Sequence, residues 1–249
     1  MVFDDMSYGE ENRVMTGSYD LNNWLDGGYE KDVVTMMYGP PGCGKTNFVL
    51  LAACHQAKKN GKVIFVDTEG GFSVERIKQI TGGIPEFVLK NIMILKPTSF
   101  AEQKKAFFTM LKELKSNNVK LIIVDSINML YRLELAEARK KGNEEVSNLN
   151  SDLAGQMKAL SEIARKMKIP VLVTSQVYYD FLTEKELHEG KEKNAYVFGG
   201  DMLRYWCKCI IEITNTGKRK AILRKHRSIG ERELCFEICN EGIRKRGWL

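Results

Sequence analysis

Gly39-Pro-Pro-Gly-Cys-Gly-Lys-Thr46 is the stretch on which the fold turns. It fits the pattern Gly-xxxx-Gly-Lys-Ser/Thr at every position, between a strand-like run and a helix-like one. Gly39, Gly42 and Gly44 let the backbone turn tightly and aim its N–H groups inward at an anion. The helix that follows adds its positive end to the same place. Lys45 supplies a point charge for the β- and γ-phosphates of a nucleotide. The Thr46 hydroxyl is a ligand for Mg²⁺. Pro40, Pro41, Cys43 and Asn47 complete the residues expected to line ATP. An ordinary Gly/Pro turn would not explain the Lys-Thr pair.

Outward from this loop, strand-like and helix-like runs alternate. Residues 33–38 (VVTMMY) predict a strand and 46–58 a helix. Strands follow at 62–67, 92–95, 121–124 and 171–174, with helices at 74–80, 100–115 and 146–168 between them. The strands are short and continuously apolar, as in sheets covered on both faces. The pattern predicts an α/β fold with a mostly parallel, doubly wound sheet. From Cys209 it changes: CIIEIT, KAILRK and LCFEIC read as three strands joined by short turns, an antiparallel extension of the sheet edge. We expect one domain, with a lead-in at 1–32, a core at 33–208 and the extension at 209–249.

Two further segments complete the expected site. Leu121-Ile-Ile-Val-Asp125 is an apolar strand ending in a carboxylate, placed to hold Mg²⁺ through water. Val66-Asp-Thr-Glu69 closes the second strand at its C-terminal end, where ligands of open α/β sheets sit. Asp67 and Glu69 share a face while the chain stays extended, so either could orient an attacking water. A helix cap or a solvated acid explains either one equally well.

Composition sets the boundaries. At 249 residues, 43% hydrophobic and 28% charged, the chain is an ordinary globular protein. No apolar run approaches the roughly 20 residues of a membrane helix, so no membrane partner is expected. The N-terminus (MVFDDMSYGEENR) is acidic and polar, unlike a secretory signal, and a cytoplasmic protein is expected. The net charge of +6 is unevenly placed: residues 1–32 carry −6 and residues 202–249 carry +7. A basic end suits a polyanion partner, and it equally suits a solvated face that balances an acidic one. Cys43, Cys54, Cys207, Cys209, Cys235 and Cys239 lack CxxC spacing and sit among apolar neighbours, as reduced core residues do.

Several segments together resemble one family. Thr68-Glu-Gly-Gly-Phe72 with Glu75-Arg76 is similar to the segment after the second core strand of archaeal and eukaryotic RecA-type recombinases. Val173-Thr-Ser-Gln-Val177 looks like their strand leading to a DNA-binding loop. Met15-Thr-Gly-Ser and Leu25-Asp-Gly-Gly look like the start of their ATPase core. Gly199-Gly-Asp, Tyr205-Trp206, Lys218-Arg-Lys-Ala221, Lys225-His-Arg-Ser228 and Phe236-Glu-Ile resemble the archaeal RadB branch, paralogues of the RadA recombinase. The resemblance implies a RecA-type ATPase core. It also implies roles: Glu69 polarising the attacking water, Gln176 sensing the γ-phosphate, and Arg76 covering the adenine. Lys225 and Arg227 fall where related ATPases place cations that reach a neighbouring subunit's nucleotide; a basic strand end that binds nothing fits them equally.

The departures from the family pattern also bear on function. Only 32 residues precede the first core strand, so the helix-hairpin-helix domain of full recombinases is expected to be absent. No Phe-x-x-Ala docking element occurs in the sequence. Residues 178–200 carry a net −2 with several aromatics, Tyr178, Tyr179, Phe181 and Tyr196, which could stack bases or pack on the core. A first loop is expected at 131–148, with Arg132 towards DNA. Lys218, Arg219, Lys220 and Arg224 form the densest positive stretch and suit phosphate contacts. The resemblance thus implies an ATP-binding protein that assists DNA repair and homologous recombination. It would bind DNA, single-stranded or branched, without sequence preference, hydrolyse ATP weakly and work beside a RadA recombinase. An ATP-switched interaction module and a KaiC-like signalling ATPase are the alternatives.

Overall fold

Short apolar runs become strands here because both of their faces are covered, and the sheet they build orders the rest. The computed structural model describes residues 12–83, 85–116, 118–179, 195–197 and 199–247. In chain order the first elements are β1 (Arg13–Val14), α1 (Tyr19–Trp24), β2 (Tyr29–Glu30), β3 (Val34–Gly39), α2 (Lys45–Lys58) and β4 (Lys62–Asp67). Next come α3 (Val74–Thr81), α4 (Pro85–Leu89), β5 (Ile92–Leu95), α5 (Phe100–Ser116), β6 (Val119–Asp125), α6 (Met129–Lys141) and α7 (Asn143–Met167). The last are β7 (Val171–Tyr179), β8 (Ala195–Val197), α8 (Gly200–Trp206), β9 (Cys209–Asn215), β10 (Arg219–Lys225), β11 (Arg232–Cys239) and β12 (Gly242–Lys245).

The main sheet runs β12-β11-β10-β9-β3-β7-β6-β4-β5, with β8 on β7. The strands from β9 to β5 pair in parallel, and β10, β11 and β12 continue the sheet antiparallel. Successive residues point to opposite faces. Met36, Ile122 and Val173 enter one core with α5, α6 and α7, and Met37, Ile123 and Leu172 enter the other with α2 and α3. The second core also takes Leu21, Trp24 and Leu25 from the lead-in and Leu234, Phe236 and Ile243 from the extension. Phe48 of α2 meets Phe236 of β11 edge to face, with centroids 5.1 Å apart. Such a pair contributes about 1 kcal/mol beyond its buried area. The extension is therefore packed against the helix that follows the glycine loop.

The expected α/β class and antiparallel extension stand; several details change. The extension has four strands. Gly242–Lys245 returns on β11 through the Cys239↔Gly242 pair, and its Gly-Ile-Arg-Lys sequence has too little apolar content to announce it. The loop expected at 131–148 is two helices meeting at Gly142, whose φ is 128°. Its polar residues are a solvated outer face, while Leu130, Tyr131, Leu135 and Ala138 form a buried stripe. β7 extends beyond residue 174 to Tyr179 because β8 pairs with its end, Val177 opposite Val197. The expectations for Phe181 and the rest of 180–194 lie outside the described residues. So do those for the side chains of Tyr178, Tyr179 and Tyr196.

Candidate functional site

The parallel strands end in register, and this gathers the site. Gly39 pairs with Gln176, and Asp67 with Asp125. Gly39 is required because a Cβ there would lie 2.0 Å from the Ile213 carbonyl of β9. Gly44 starts α2 at φ 116°, a left-handed conformation that L side chains avoid, and a Cβ would meet Ile238 at 2.9 Å. Lys45 is buried. Its ammonium donates to the carbonyls of Gly39 (3.0 Å) and Pro40 (2.9 Å) and lies 3.8 Å from the Cys43 sulfur. Burial pushes the Cys43 thiol up, against the pull of Lys45. Lys45 is thus held inside the loop with no carboxylate among its described partners.

Beside it, Thr46 donates its hydroxyl to Asp125 Oδ2 at 2.8 Å, and Thr174 donates to the other oxygen. Burial pushes the Asp125 carboxyl up to about 6; the two hydroxyls pull it down, and Glu69 and Asp67 raise it further. A Cβ on Gly71 would sit 3.4 Å from Thr46 Oγ1 and 3.6 Å from Asp125 Oδ2. The glycine leaves room above the pair. A hydroxyl and a carboxylate side by side, both oxygen donors, suit Mg²⁺, which keeps several waters and few protein ligands.

The structure separates Asp67 from Glu69. Asp67 accepts N–H bonds from Gly71 (3.0 Å) and Phe72 (3.1 Å), so it shapes the turn. Glu69 Oε2 accepts from the Gln176 amide at 2.6 Å, while its Oε1 is buried with no partner among the described residues. Thr68 fastens the two strand ends together: its hydroxyl donates to the Ser126 carbonyl (2.7 Å) and accepts from the Ser126 N–H (2.8 Å). Thr68, Ser126 and Thr174 were not among the residues expected from the sequence, because small hydroxyls at strand ends carry no signature.

Arg76 stands at the rim with its guanidinium engaged in its own plane. It donates to Asn47 Oδ1 (2.7 Å), Gln79 (2.9 Å) and the carbonyls of Cys239 (2.8 Å), Asn240 and Gly242. It ties α3 and α2 to the β11–β12 turn.

Several cations of the basic end are ion-paired within the chain. Lys220 pairs with Glu233 (2.9 Å), and Arg224 with Glu212 (2.7 Å) and Glu231 (2.8 Å). Lys225 donates to the carbonyls of Arg204 and Cys207, closing α8. Arg227 pairs with Glu30 (3.3 Å) and Asp32 (2.9 Å), and Arg232 with Asp26 (2.8 Å). His226 Nδ1 accepts N–H bonds from Ser228 and Ile229, and Nε2 lies 3.4 Å from Glu30; burial pulls its pKa down. The acidic lead-in and the basic extension therefore hold each other, since their charges lie on facing elements. Lys218 is exposed, Arg219 half-buried on β10, and Arg132 half-buried on α6 rather than on a loop. Among the described residues, no hydrogen bond or ion pair joins Lys225 or Arg227 to the glycine loop.

This geometry is that of a RecA-type core, and comparison with known proteins places it. The Rad51 family model matches residues 10–246. The DNA repair and recombination protein RadB of Methanobrevibacter smithii is 38% identical over 240 residues, covering 94% of this chain and 97% of its own. The chain belongs to the RadB group of the Rad51 family. The RadB protein of Methanocaldococcus jannaschii is 41% identical over 224 residues, 90% of this chain and 98% of its own. A crystal structure of the RadB recombinase superposes with a TM-score of 0.72 at 34% identity, covering 94% of this chain and 100% of that one. RadB membership favours the recombinase-type reading over the KaiC-like one. Among the described residues, no helix is long and apolar enough to cross a membrane.

Proposed function

We propose that this RadB-family chain is an ATP-binding protein of DNA repair and homologous recombination. It binds single-stranded or branched DNA without sequence preference, hydrolyses ATP weakly and acts beside a RadA recombinase. The observation that carries the ATP reading is the Glu69–Gln176 hydrogen bond beside the glycine loop, with Glu69 Oε1 left open. Lys45 and the N-terminus of α2 bind the phosphates. Thr46 and Asp125 would hold Mg²⁺, which when bound neutralises phosphate charge. Glu69 accepts the proton of an attacking water and orients it. Gln176, in the C-terminal half of β7 opposite Gly39, holds Glu69 in place and is positioned to answer to the γ-phosphate.

Turnover is weak in this account because Lys225 and Arg227 are committed to their own chain. Acting across a subunit boundary would break those bonds. The same observation favours a second reading, in which ATP binding switches partner affinity and hydrolysis is incidental. ATP hydrolysis measured with and without single-stranded DNA separates the two. Under the first reading DNA stimulates turnover, and Glu69→Gln lowers it by about 10²–10⁴-fold. Turnover indifferent to both DNA and Glu69→Gln would leave only the switch.

A further inference from the structure

The N-terminal edge of the parallel sheet carries a groove of about 1040 Å³, at the end away from the glycine loop. Arg13, Lys31, Lys59, Lys120 and Lys168 line it, and its one carboxylate, Asp26, is held by Arg232 at 2.8 Å. Lys59, Lys120 and Lys168 are exposed. Among the described residues none of these three lies within ion-pair distance of a carboxylate. The nearest polar contact of Lys59 is the Met15 sulfur, at 3.8 Å. Each of the three sits where an element turns back at this edge: Lys59 after α2, Lys120 at the start of β6, Lys168 after α7. The side-chain amides of Asn23 and Asn118 add neutral donors. Like charges gathered without counter-charges repel one another, so their convergence is a cost to folding that a bound polyanion removes.

We propose that this groove binds the phosphodiester backbone of a nucleic-acid strand, independently of ATP. The proposal rests on the DNA-binding reading above and adds the surface that does it. Cations and amides in a groove contact phosphate and sugar without reading bases. The lining also holds apolar residues, among them Met15, Val119, Met167 and Ile169, but five cations against one carboxylate already held by Arg232 favour a polyanionic strand over an apolar protein anchor.

The test is anisotropy of a labelled oligo-dT strand across a salt series, without nucleotide, with a labelled duplex as a second arm. The groove variant is Lys59→Gln, Lys120→Gln, Lys168→Asn; Asn suits the left-handed φ of 51° at position 168. The control variant, Lys104→Gln, Lys166→Gln, Arg244→Gln, removes equal charge from ion-paired positions. Each lost phosphate contact on a single strand lowers the slope of log K against log salt by about 0.7, so the groove variant should lose about 2. Its affinity at about 0.1 M salt should fall on the order of 100-fold, and the control should match the parent. If the triple variant does not fold, each single change should still lower the slope by about 0.7. The arm with the larger slope change identifies the form of strand the groove takes. Equal losses in groove and control variants would overturn the proposal, because net charge alone would then explain binding. A parent that binds with a steep slope, beside a groove variant that keeps it, would overturn the groove while sparing DNA binding; binding of polyglutamate lost in that variant would reassign it to an acidic chain. A parent that binds neither strand nor duplex would overturn both this proposal and the DNA-binding reading.

Discussion

The two ends of the sheet carry charge in opposite ways. Around the C-terminal ends of the strands, charges are buried or half-buried and each has an assigned contact: Lys45 on loop carbonyls, Asp125 between two threonines, Glu69 on Gln176. Much of the basic extension is likewise paired, in part with the acidic lead-in. At the N-terminal edge, lysines from three distant parts of the chain converge, and the one carboxylate in the groove lining, Asp26, is held by Arg232. Paired charges build the structure, and unpaired ones are available to a ligand. A sum of charges along the sequence does not distinguish the two cases.

This contrast can be broken or sharpened by experiment. The first effect concerns Asp125, the buried acid of the paired end. Its folded-state pKa of about 6 lies above the ordinary 3.8. The folded protein therefore takes up a proton as pH falls through that window. The contribution of Asp125 to stability without ligand is full below about pH 4, declines as pH rises to about 6, and is level above. Mg²⁺ needs the ionised form, so Mg²⁺-dependent ATP affinity should rise about tenfold between about pH 5 and about pH 7. Titration calorimetry across that range checks this; a flat profile would mean Asp125 is not the metal-side acid. Next, Gly71→Ala crowds Thr46 and Asp125 and should weaken Mg²⁺-dependent binding about fivefold, the low end for overpacking. Binding without Mg²⁺ should be unchanged in the same assay. The smallest effect belongs to the extension. Arg227→Ala leaves the buried Glu30 with a weaker partner and should cost about 1 kcal/mol in denaturant unfolding, after allowing for the exposure of Arg227. Lys220→Gln, which breaks an exposed pair, should not measurably change stability. A large loss from Lys220→Gln would mean that exposed pairs carry more of the fold than this account allows.

The sheet was legible because burial on both faces leaves continuous apolar runs. Residues 62–67 and 92–95 could be bounded from the sequence without error. Helices with charged outer faces were harder to see, and 129–141 reads as a loop until Leu130, Leu135 and Ala138 are found on one side. In the site, the glycine loop and Asp125 were legible from local pattern. The choice between Asp67 and Glu69 was not, because it rests on two backbone amides beyond the turn. The family resemblance implied roles for Glu69 and Gln176, but their hydrogen bond, across 107 residues, was not read from the sequence. The partners of Arg227, 195 and 197 residues away, follow from topology alone. So does the convergence of Lys59, Lys120 and Lys168.

The central claim is that the two ends bind different ligands independently. One pair of variants tests it: Lys45→Ala at the paired end and the triple lysine change at the unpaired end. ATP affinity is measured without DNA, and the salt slope for oligo-dT without ATP. Lys45→Ala should lose on the order of 100-fold in ATP affinity, as expected when a charged hydrogen-bonding group is removed, and keep the parent slope. The triple change should keep ATP affinity and lose about 2 in slope. Loss of both ligands in either variant, or of neither in both, would contradict the account.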